Sequence, residues 1–312
     1  MNSISQRGPS VFRTARLVFQ CAAIIGVMAG PIEAMAQPNI SGPSWFLVDG
    51  ESGQVLAEHN ADTPRQPASL TKLMTAYLVL GALKQGTLRW DEQVTVSAED
   101  VRQVGKDESR MYLVPGQKAY VRDLVRGLIV ASANDAALVL AHRVGGSISE
   151  FEVSMNDMAR HLGMTESHFA TPSGVTTPGN YSTAHDLATL SIRLTADFPE
   201  YYQFSSQQHF SYGSFSKRNK NWLLSSDPSV DGLKTGRTQA AGWCIVATAR
   251  RNQADPSLER RVFAVVMDSP SSAQRIADAH RLIEYAYGSF KDFPSKLGHG
   301  IVTRPSGQIA QE

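Results

Sequence analysis

Residues 67–84 read PASLTKLMTAYLVLGALK, and one side chain in that stretch is out of place. Leu70, Leu73, Met74, Ala76, Tyr77, Leu78, Val79, Leu80, Ala82 and Leu83 make it apolar on nearly every side, the composition of a helix buried in a domain's interior. Lys72 lies inside it, and the next charge is Lys84. Ser69 precedes Lys72 by one turn, so the two side chains share a helix face. Burial disfavours a charged ammonium, which lowers the lysine pKa and leaves an amine able to accept a proton. Ser69 also falls at the start of the helix, just after Pro67, where free backbone N–H groups favour negative charge. The stretch outlines a serine nucleophile served by a lysine base.

Outward from this helix, the pattern predicts a β-hairpin from 44–49 (SWFLVD) and 54–58, joined by Gly50-Glu51-Ser52-Gly53. After the helix come a short strand at 94–96 and helices at 121–131 and 134–144, the latter with Asn134 or Asp135 as N-cap. Two more helices are expected at 149–162 and 182–194. Strand patterns return at 232–235, 243–250 (WCIVATAR) and 261–268 (RVFAVVMD). A helix at about 271–288 closes the series, with Ile276, Leu282, Ile283 and Ala286 on one side. Strands at both ends with helices between them predict an α/β fold of the α+β type. Its antiparallel sheet joins the first hairpin to the last strands and is flanked by helices, with a mostly helical lobe inserted at about 90–205.

The chain has 312 residues, 42% of them hydrophobic and 19% charged, an ordinary globular composition. Residues 1–36 read as an export signal: Arg7, Arg13 and Arg16, an apolar run, then Ala34-Met35-Ala36 before Gln37. Losing it removes three arginines and Glu33 and takes the formal charge from +1 to −1, which leaves no basic surplus for nucleic acid or anionic lipid. Cys244 is then the single cysteine, so an exported chain has no intramolecular disulfide and rests on its core. Residues 293–312 are polar and Gly/Pro-punctuated and read as a tail, after a domain spanning 37–292. The protein is expected to be exported and periplasmic, at most peripheral to the inner membrane, with no stable membrane anchor once the signal is removed.

Two further triplets carry chemistry, and each has a decoy. Ser-x-x-Lys recurs at Ser214 and Lys217, in a polar stretch without apolar periodicity that reads as loop. Ser132-Ala133-Asn134 is matched by Ser154-Met155-Asn156 inside a helical segment, and Lys234-Thr235-Gly236 by Lys84-Gln85-Gly86 at a helix terminus. Context separates them: Ser69 and Lys72 open a buried helix, Ser132 and Asn134 lie between two helices, and Lys234 to Gly236 leads from strand to turn.

In this order the three motifs resemble those of class A β-lactamases and penicillin-binding proteins, with Ser-Ala-Asn standing in the place of a Ser-Asp-Asn type. The strings ASLTKLMTAY (68–77), MYLVPGQK (111–118), SANDAAL (132–138), YSTAHDLAT (181–189) and VDGLKTGRTQ (230–239) resemble serine D-alanyl-D-alanine carboxypeptidases, the low-molecular-mass penicillin-binding proteins. The similarity covers about 44–290. It implies a β-lactamase/transpeptidase-like fold and a substrate in the peptidoglycan stem peptide. Ser69 would form the acyl-enzyme, Lys72 take its proton, and Ser132 relay a proton to the leaving amine. Asn134 would hold a substrate amide, Lys234 supply positive charge, and Thr235 bind the substrate carboxylate. The backbone N–H groups of Ser69 and Arg237 would form the oxyanion hole. β-Lactams would acylate Ser69 as covalent inhibitors.

Gly236 suits a strand that a substrate backbone must approach closely. Arg237 stands where these carboxypeptidases often carry His. It can pair with a free terminal carboxylate or simply face solvent in a turn. The resemblance also lacks the C-terminal β-domain and amphipathic anchor of the better-known members, as endopeptidase-type relatives do, which keeps cross-link cleavage as an alternative substrate class. A non-catalytic peptidoglycan-binding module on the same fold is a further alternative, but pure binding needs no buried lysine beside a serine. A class A β-lactamase would carry a deacylating Glu in Glu-x-x-Leu-Asn; no Asn here follows a Leu, and Glu166 precedes Ser-His-Phe-Ala. No Gly-x-Ser-x-Gly elbow supports a Ser-His-Asp hydrolase, so His168 and His185 read as structural or cleft-wall residues. No motif calls for a metal or cofactor. Cys244 is expected to pack as a small hydrophobe, and SKRNKN (216–221) to form a solvated loop near the cleft.

Overall fold

The computed structural model describes residues 37–252 and 259–289. The export signal expected at 1–36 and the tail expected at 293–312 lie outside the described residues. In chain order the elements are β1 (Ser44–Asp49), β2 (Val55–His59), α1 (Lys72–Lys84), β3 (Gln93–Thr95), α2 (Ala98–Arg102), β4 (Lys118–Tyr120), α3 (Val121–Arg126), α4 (Asn134–Gly145), α5 (Ile148–His161), α6 (Ala184–Asp197), α7 (Tyr201–Ser205), β5 (His209–Tyr212), β6 (Phe215–Arg218), α8 (Leu223–Ser226), β7 (Val230–Thr238), β8 (Gly242–Asn252), β9 (Glu259–Ser269) and α9 (Ser272–Ser289).

The main sheet runs β2-β1-β9-β8-β7, every neighbour antiparallel. The first hairpin therefore joins the last strands in space, through Trp45 opposite Val266 and Leu47 opposite Ala264. Successive strand residues point to opposite faces, and here both faces are dry. Phe46, Val48, Val246, Phe263, Val265 and Met267 enter one core with the apolar side chains of α1, α4 and α6. Trp45, Leu47, Ile245, Ala247, Ala264 and Val266 enter a second core with Ala279, Leu282, Ile283 and Ala286 of α9. Burial on both faces explains why β8 and β9 read as unbroken apolar runs and not as alternating ones.

α1 is buried around almost its whole circumference, from Leu73 to Ala82, which places Lys72 at the centre of the helix-side core. β7 is the edge strand, and the turn that opens α1 packs against it.

Three local expectations change. Neither Asn134 nor Asp135 caps α4: Ala133 occupies the N-cap position, with no side-chain capping bond. The Asp135 carboxylate instead accepts the backbone N–H groups of Met111 and Leu113, and Asn134 turns into the cleft. The helix expected at 121–131 changes pitch, becoming a π-helical turn over Gly127–Ala131. The segment 216–221 is more than a solvated loop. Its first half is strand β6, paired with β5, and Asn219 and Asn221 are buried, the Asn221 amide donating to Gly232 O at 2.9 Å.

Candidate active site

The site starts at a backbone turn. Pro67 leads into Ala68, whose φ of 48° is left-handed, and a 3-10 turn over Ala68–Thr71 lifts Ser69 out of the core before α1 begins at Lys72. Two glycines make room for this turn. A Cβ on Gly174 would fall 2.0 Å from Ala68 O, and Gly174 itself has φ +76°. A Cβ on Gly236 would fall 2.9 Å from Pro67 O. Gly236 thus lets the edge strand approach the protein's own turn closely.

Lys72 is 1% exposed. Its Nζ lies 3.1 Å from Ser69 Oγ and 2.6 Å from Asn134 Oδ1, and it also donates to the Ser173 carbonyl. Burial first, then the nearby Lys220 and Lys217 ammonium groups, lower its pKa to about 7, against the opposing pull of Glu108 and Asp135. A neutral amine has two N–H groups and one lone pair. Asn134 Oδ1 and Ser173 O can only accept, so they take the two N–H groups. The lone pair is left facing Ser69, the one neighbour of the three with a hydrogen to give.

The second wall comes from the π-helical turn. It ends at Ser132, held in the left-handed region at φ 58°, ψ 35°, and this aims the Ser132 hydroxyl inward. Its Oγ accepts a 2.9 Å hydrogen bond from Lys234 Nζ, which also donates to Thr235 O at 2.9 Å. Burial and the Lys72 ammonium hold Lys234 well below the ordinary lysine range. Asn134 Nδ2 donates to Glu108 Oε2 at 2.6 Å, and the Asn134 backbone N–H donates to Ser109 O at 2.7 Å.

β7 forms the third wall. Thr235 and Gly236 are buried, and Arg237 is exposed at the rim with its guanidinium 5.1 Å from the Trp243 ring centroid. Together these walls enclose a cleft of about 400 Å³ lined by Ser69, Ser132, Asn134, Thr235, Gly236 and Arg237, with Lys72 and Lys234 hydrogen-bonded to its lining from beneath. The decoy triplets stay outside the cleft lining: Ser214 and Lys217 on the β5–β6 hairpin, Ser154 and Asn156 within α5, and Lys84 to Gly86 at the end of α1.

Charged side chains outside the motifs also line the cleft, among them Glu108, Arg275 and Lys220, the last from the 216–221 segment expected near it. Nothing local marks Glu108. Arg275 did carry a signal, because it precedes Ala279, Leu282, Ile283 and Ala286 at helical spacing and so sits on the apolar face of α9. It is 1% exposed and donates to Gly236 O at 3.1 Å and Cys244 O at 3.3 Å; burial lowers its pKa to about 10. The histidines stay outside the cleft lining: His168 Nδ1 bonds Gly179 O and its ring stacks on Tyr181, while His185 meets Asp62 and Phe46. Glu166 is exposed and likewise outside the lining. Cys244 is fully buried among apolar side chains. Among the described residues, Asp227, His280 and Glu284 come close enough to share a metal ion, but Arg251 already bridges both carboxylates, at 2.7 and 2.6 Å.

An antiparallel sheet backed by helices on both faces, with a serine and a lysine at the mouth of a buried helix beside the edge strand, is the β-lactamase/transpeptidase-like fold of the penicillin-binding proteins. The chain belongs to the D-alanyl-D-alanine carboxypeptidase family, whose match spans residues 32–271. It is 37% identical over 264 residues to D-alanyl-D-alanine carboxypeptidase DacC of Escherichia coli, covering 83% of this chain and 64% of that relative. The chain thus spans just under two thirds of that relative's length. Penicillin-binding protein 5 of Haemophilus influenzae superimposes with a TM-score of 0.77 at 34% identity, covering 81% of this chain and 72% of the other. A Listeria monocytogenes penicillin-binding protein in a cefotaxime-bound form superimposes with a TM-score of 0.71 at 35% identity, over 80% of this chain and 98% of that one.

Proposed function

We propose that the protein removes the terminal D-alanine from peptidoglycan stem peptides through an acyl-enzyme on Ser69. The observation that carries this reading is the buried Lys72 amine 3.1 Å from Ser69 Oγ. Lys72 takes the Ser69 proton as Oγ bonds to the carbonyl carbon of the D-Ala–D-Ala bond. The oxyanion formed lies against the backbone N–H groups of Ser69 and Arg237. Ser132 accepts its hydrogen bond from Lys234, so its own hydrogen is free to go to the leaving amine as the C–N bond breaks. The proton that Lys72 took from Ser69 then restores the Ser132 hydroxyl, which returns Lys72 to its neutral form. Water then releases the shortened peptide and frees Ser69. Asn134 holds the amide of the acyl portion. Thr235, Arg237 and the buried Arg275 guanidinium favour the free carboxylate of the departing residue, which in turn favours a chain terminus over a cross-link.

The same chemistry makes β-lactams covalent inhibitors, and the relatives' structures bound to cefotaxime and ampicillin support this. Residues 1–36 act as a cleaved export signal ahead of a periplasmic catalytic domain over 37–292, with a helical lobe at about 90–205. Among the described residues, no helix is long and apolar enough to cross a membrane. Amino-terminal sequencing of the protein recovered from the cell envelope tests the cleavage, which should expose Gln37.

The enzymatic test is labelling with a fluorescent penicillin, followed by D-alanine release from a pentapeptide. Wild-type protein should label and release D-alanine, and Ser69→Ala should do neither. Equal labelling of Ser69→Ala would sink the acyl-enzyme, and cleavage of cross-linked dimers alone would replace carboxypeptidase action with endopeptidase action.

A further inference from the structure

Glu108 belongs to none of the three motifs, yet it is joined to the reacting serine through two side chains. Its carboxylate accepts from Asn134 Nδ2 at 2.6 Å, Asn134 Oδ1 accepts from Lys72 Nζ at 2.6 Å, and Lys72 Nζ reaches Ser69 Oγ at 3.1 Å. We propose that Glu108 is a positioning residue for acylation of Ser69: it locks the Asn134 amide in one orientation and so keeps the Lys72 lone pair aimed at Ser69. The inference rests on the acyl-transfer reading above.

A primary amide presents an acceptor at one end and two donors at the other. While Lys72 is protonated it can only donate, and it selects Asn134 Oδ1 unaided. Once Lys72 is neutral, an amide rotated by half a turn could offer Nδ2–H to the lone pair and occupy the base. Glu108 opposes that rotation. An ionised carboxylate can only accept, so the rotated amide would set Oδ1 against it with no hydrogen between them. The lock therefore acts in the protonation state in which Lys72 must accept a proton.

The scaffold holds both partners in place. Asn134 is tied through its backbone N–H to Ser109 O, and Asp135 grips the N–H groups of Met111 and Leu113, so the segment bearing Glu108 is strapped to the start of α4. Lys220 Nζ donates to Ser109 Oγ at 3.0 Å from the opposite side.

Charge provides a second readout. Lys72 faces Glu108 and Asp135, which raise its pKa, and Lys220 and Lys217, which lower it along with burial. Lys234 on β7 is a further titratable amine beneath the cleft, coupled to Lys72 by charge and likewise held below the ordinary lysine range. Removing the Glu108 charge alone moves the Lys72 titration to lower pH.

The test is the second-order rate of Ser69 acylation by a fluorescent penicillin, followed with pH for wild type, Glu108→Gln, Glu108→Ala and Glu108→Asp. In the Gln and Ala variants the plateau should fall about 10- to 100-fold, the scale of a misplaced catalytic group, while the rising limb moves to lower pH. Glu108→Asp should recover part of the plateau and keep the limb near its wild-type position. Wild-type rates and limb in both neutral variants would overturn the proposal. So would an equal loss in all three variants with the limb unmoved, the mark of a merely structural residue. Wild-type protein that takes no label would overturn the acyl-transfer reading itself.

Discussion

Gly236 and Ser69 are packed so closely that a single added methyl group would reach the serine's backbone: a Cβ on Gly236 would lie 3.1 Å from Ser69 N. The edge strand and the turn that presents the nucleophile are therefore one mechanical unit, and the Ser69 N–H proposed for the oxyanion hole lies beside β7.

Gly236→Ala should force that turn away from the strand, because the same Cβ would also meet Pro67 O at 2.9 Å and Ala68 Cβ at 3.2 Å. We expect Ser69 acylation by a fluorescent penicillin to slow about 100-fold, the penalty for a displacement of order 1 Å at a reacting centre. Overpacking should also cost about 1–3 kcal/mol of stability. A variant that melts lower but labels at the wild-type rate would show that the turn moves without the nucleophile.

The pH profile of acylation should report Lys72. With its pKa lowered to about 7, the amine is protonated below that value and cannot accept the Ser69 proton. The rate should fall about tenfold for each pH unit below the limb and level off above it. Acylation that is flat from pH ~5 to ~9 would remove Lys72 from the role of base.

The Ser69–Lys72 pair is legible in the sequence because a charge inside an all-apolar helix needs an explanation, and the sheet is legible because both ends of the chain carry strand patterns. The features that are not legible are tertiary. Asn134 and Asp135 have the chemistry of N-caps, but partners 26 and 24 residues away, Glu108 and Met111, compete better for their side chains. Lys220 reads as part of a solvated basic loop near the cleft, and only the fold shows it in the lining. Arg275 differs: its spacing on α9 marks it as a cation on a buried face, one residue before Ile276.

Arg275 leads to a prediction about substrate choice. Its guanidinium is buried, its described hydrogen bonds go to carbonyls and to Ser272 Oγ, and it lines the cleft. It therefore offers uncompensated positive charge to a substrate carboxylate. Arg275→Gln should lower kcat/KM for a peptide ending in free D-alanine about 10- to 100-fold, mainly through KM, as expected for a lost charge-assisted hydrogen bond. A peptide ending in the amide should be affected far less, and Arg275→Lys should restore part of the discrimination. Equal losses on both peptides would instead assign Arg275 to supporting Gly236 and β7.

Burying Lys72 should also cost stability, with a definite pH dependence. Its pKa falls from 10.5 in the unfolded chain to about 7 in the fold, so between those values the unfolded state binds more protons and stability rises with pH. The cost is fully present below about pH 7, shrinks through the interval and vanishes above the unfolded value. Each pH unit of that interval is worth ~1.4 kcal/mol. The cost at neutral pH is therefore a few kcal/mol, before the hydrogen bonds to Asn134 and Ser173 offset part of it. Lys72→Met keeps the apolar stem and removes the titrating group. It should therefore abolish penicillin labelling yet melt at a less pH-dependent temperature between about pH 7 and 10 than wild type. The gain over wild type should be largest at the acid end. If both proteins show the same slope of Tm against pH, Lys72 does not titrate with folding and its amine is not held neutral by burial.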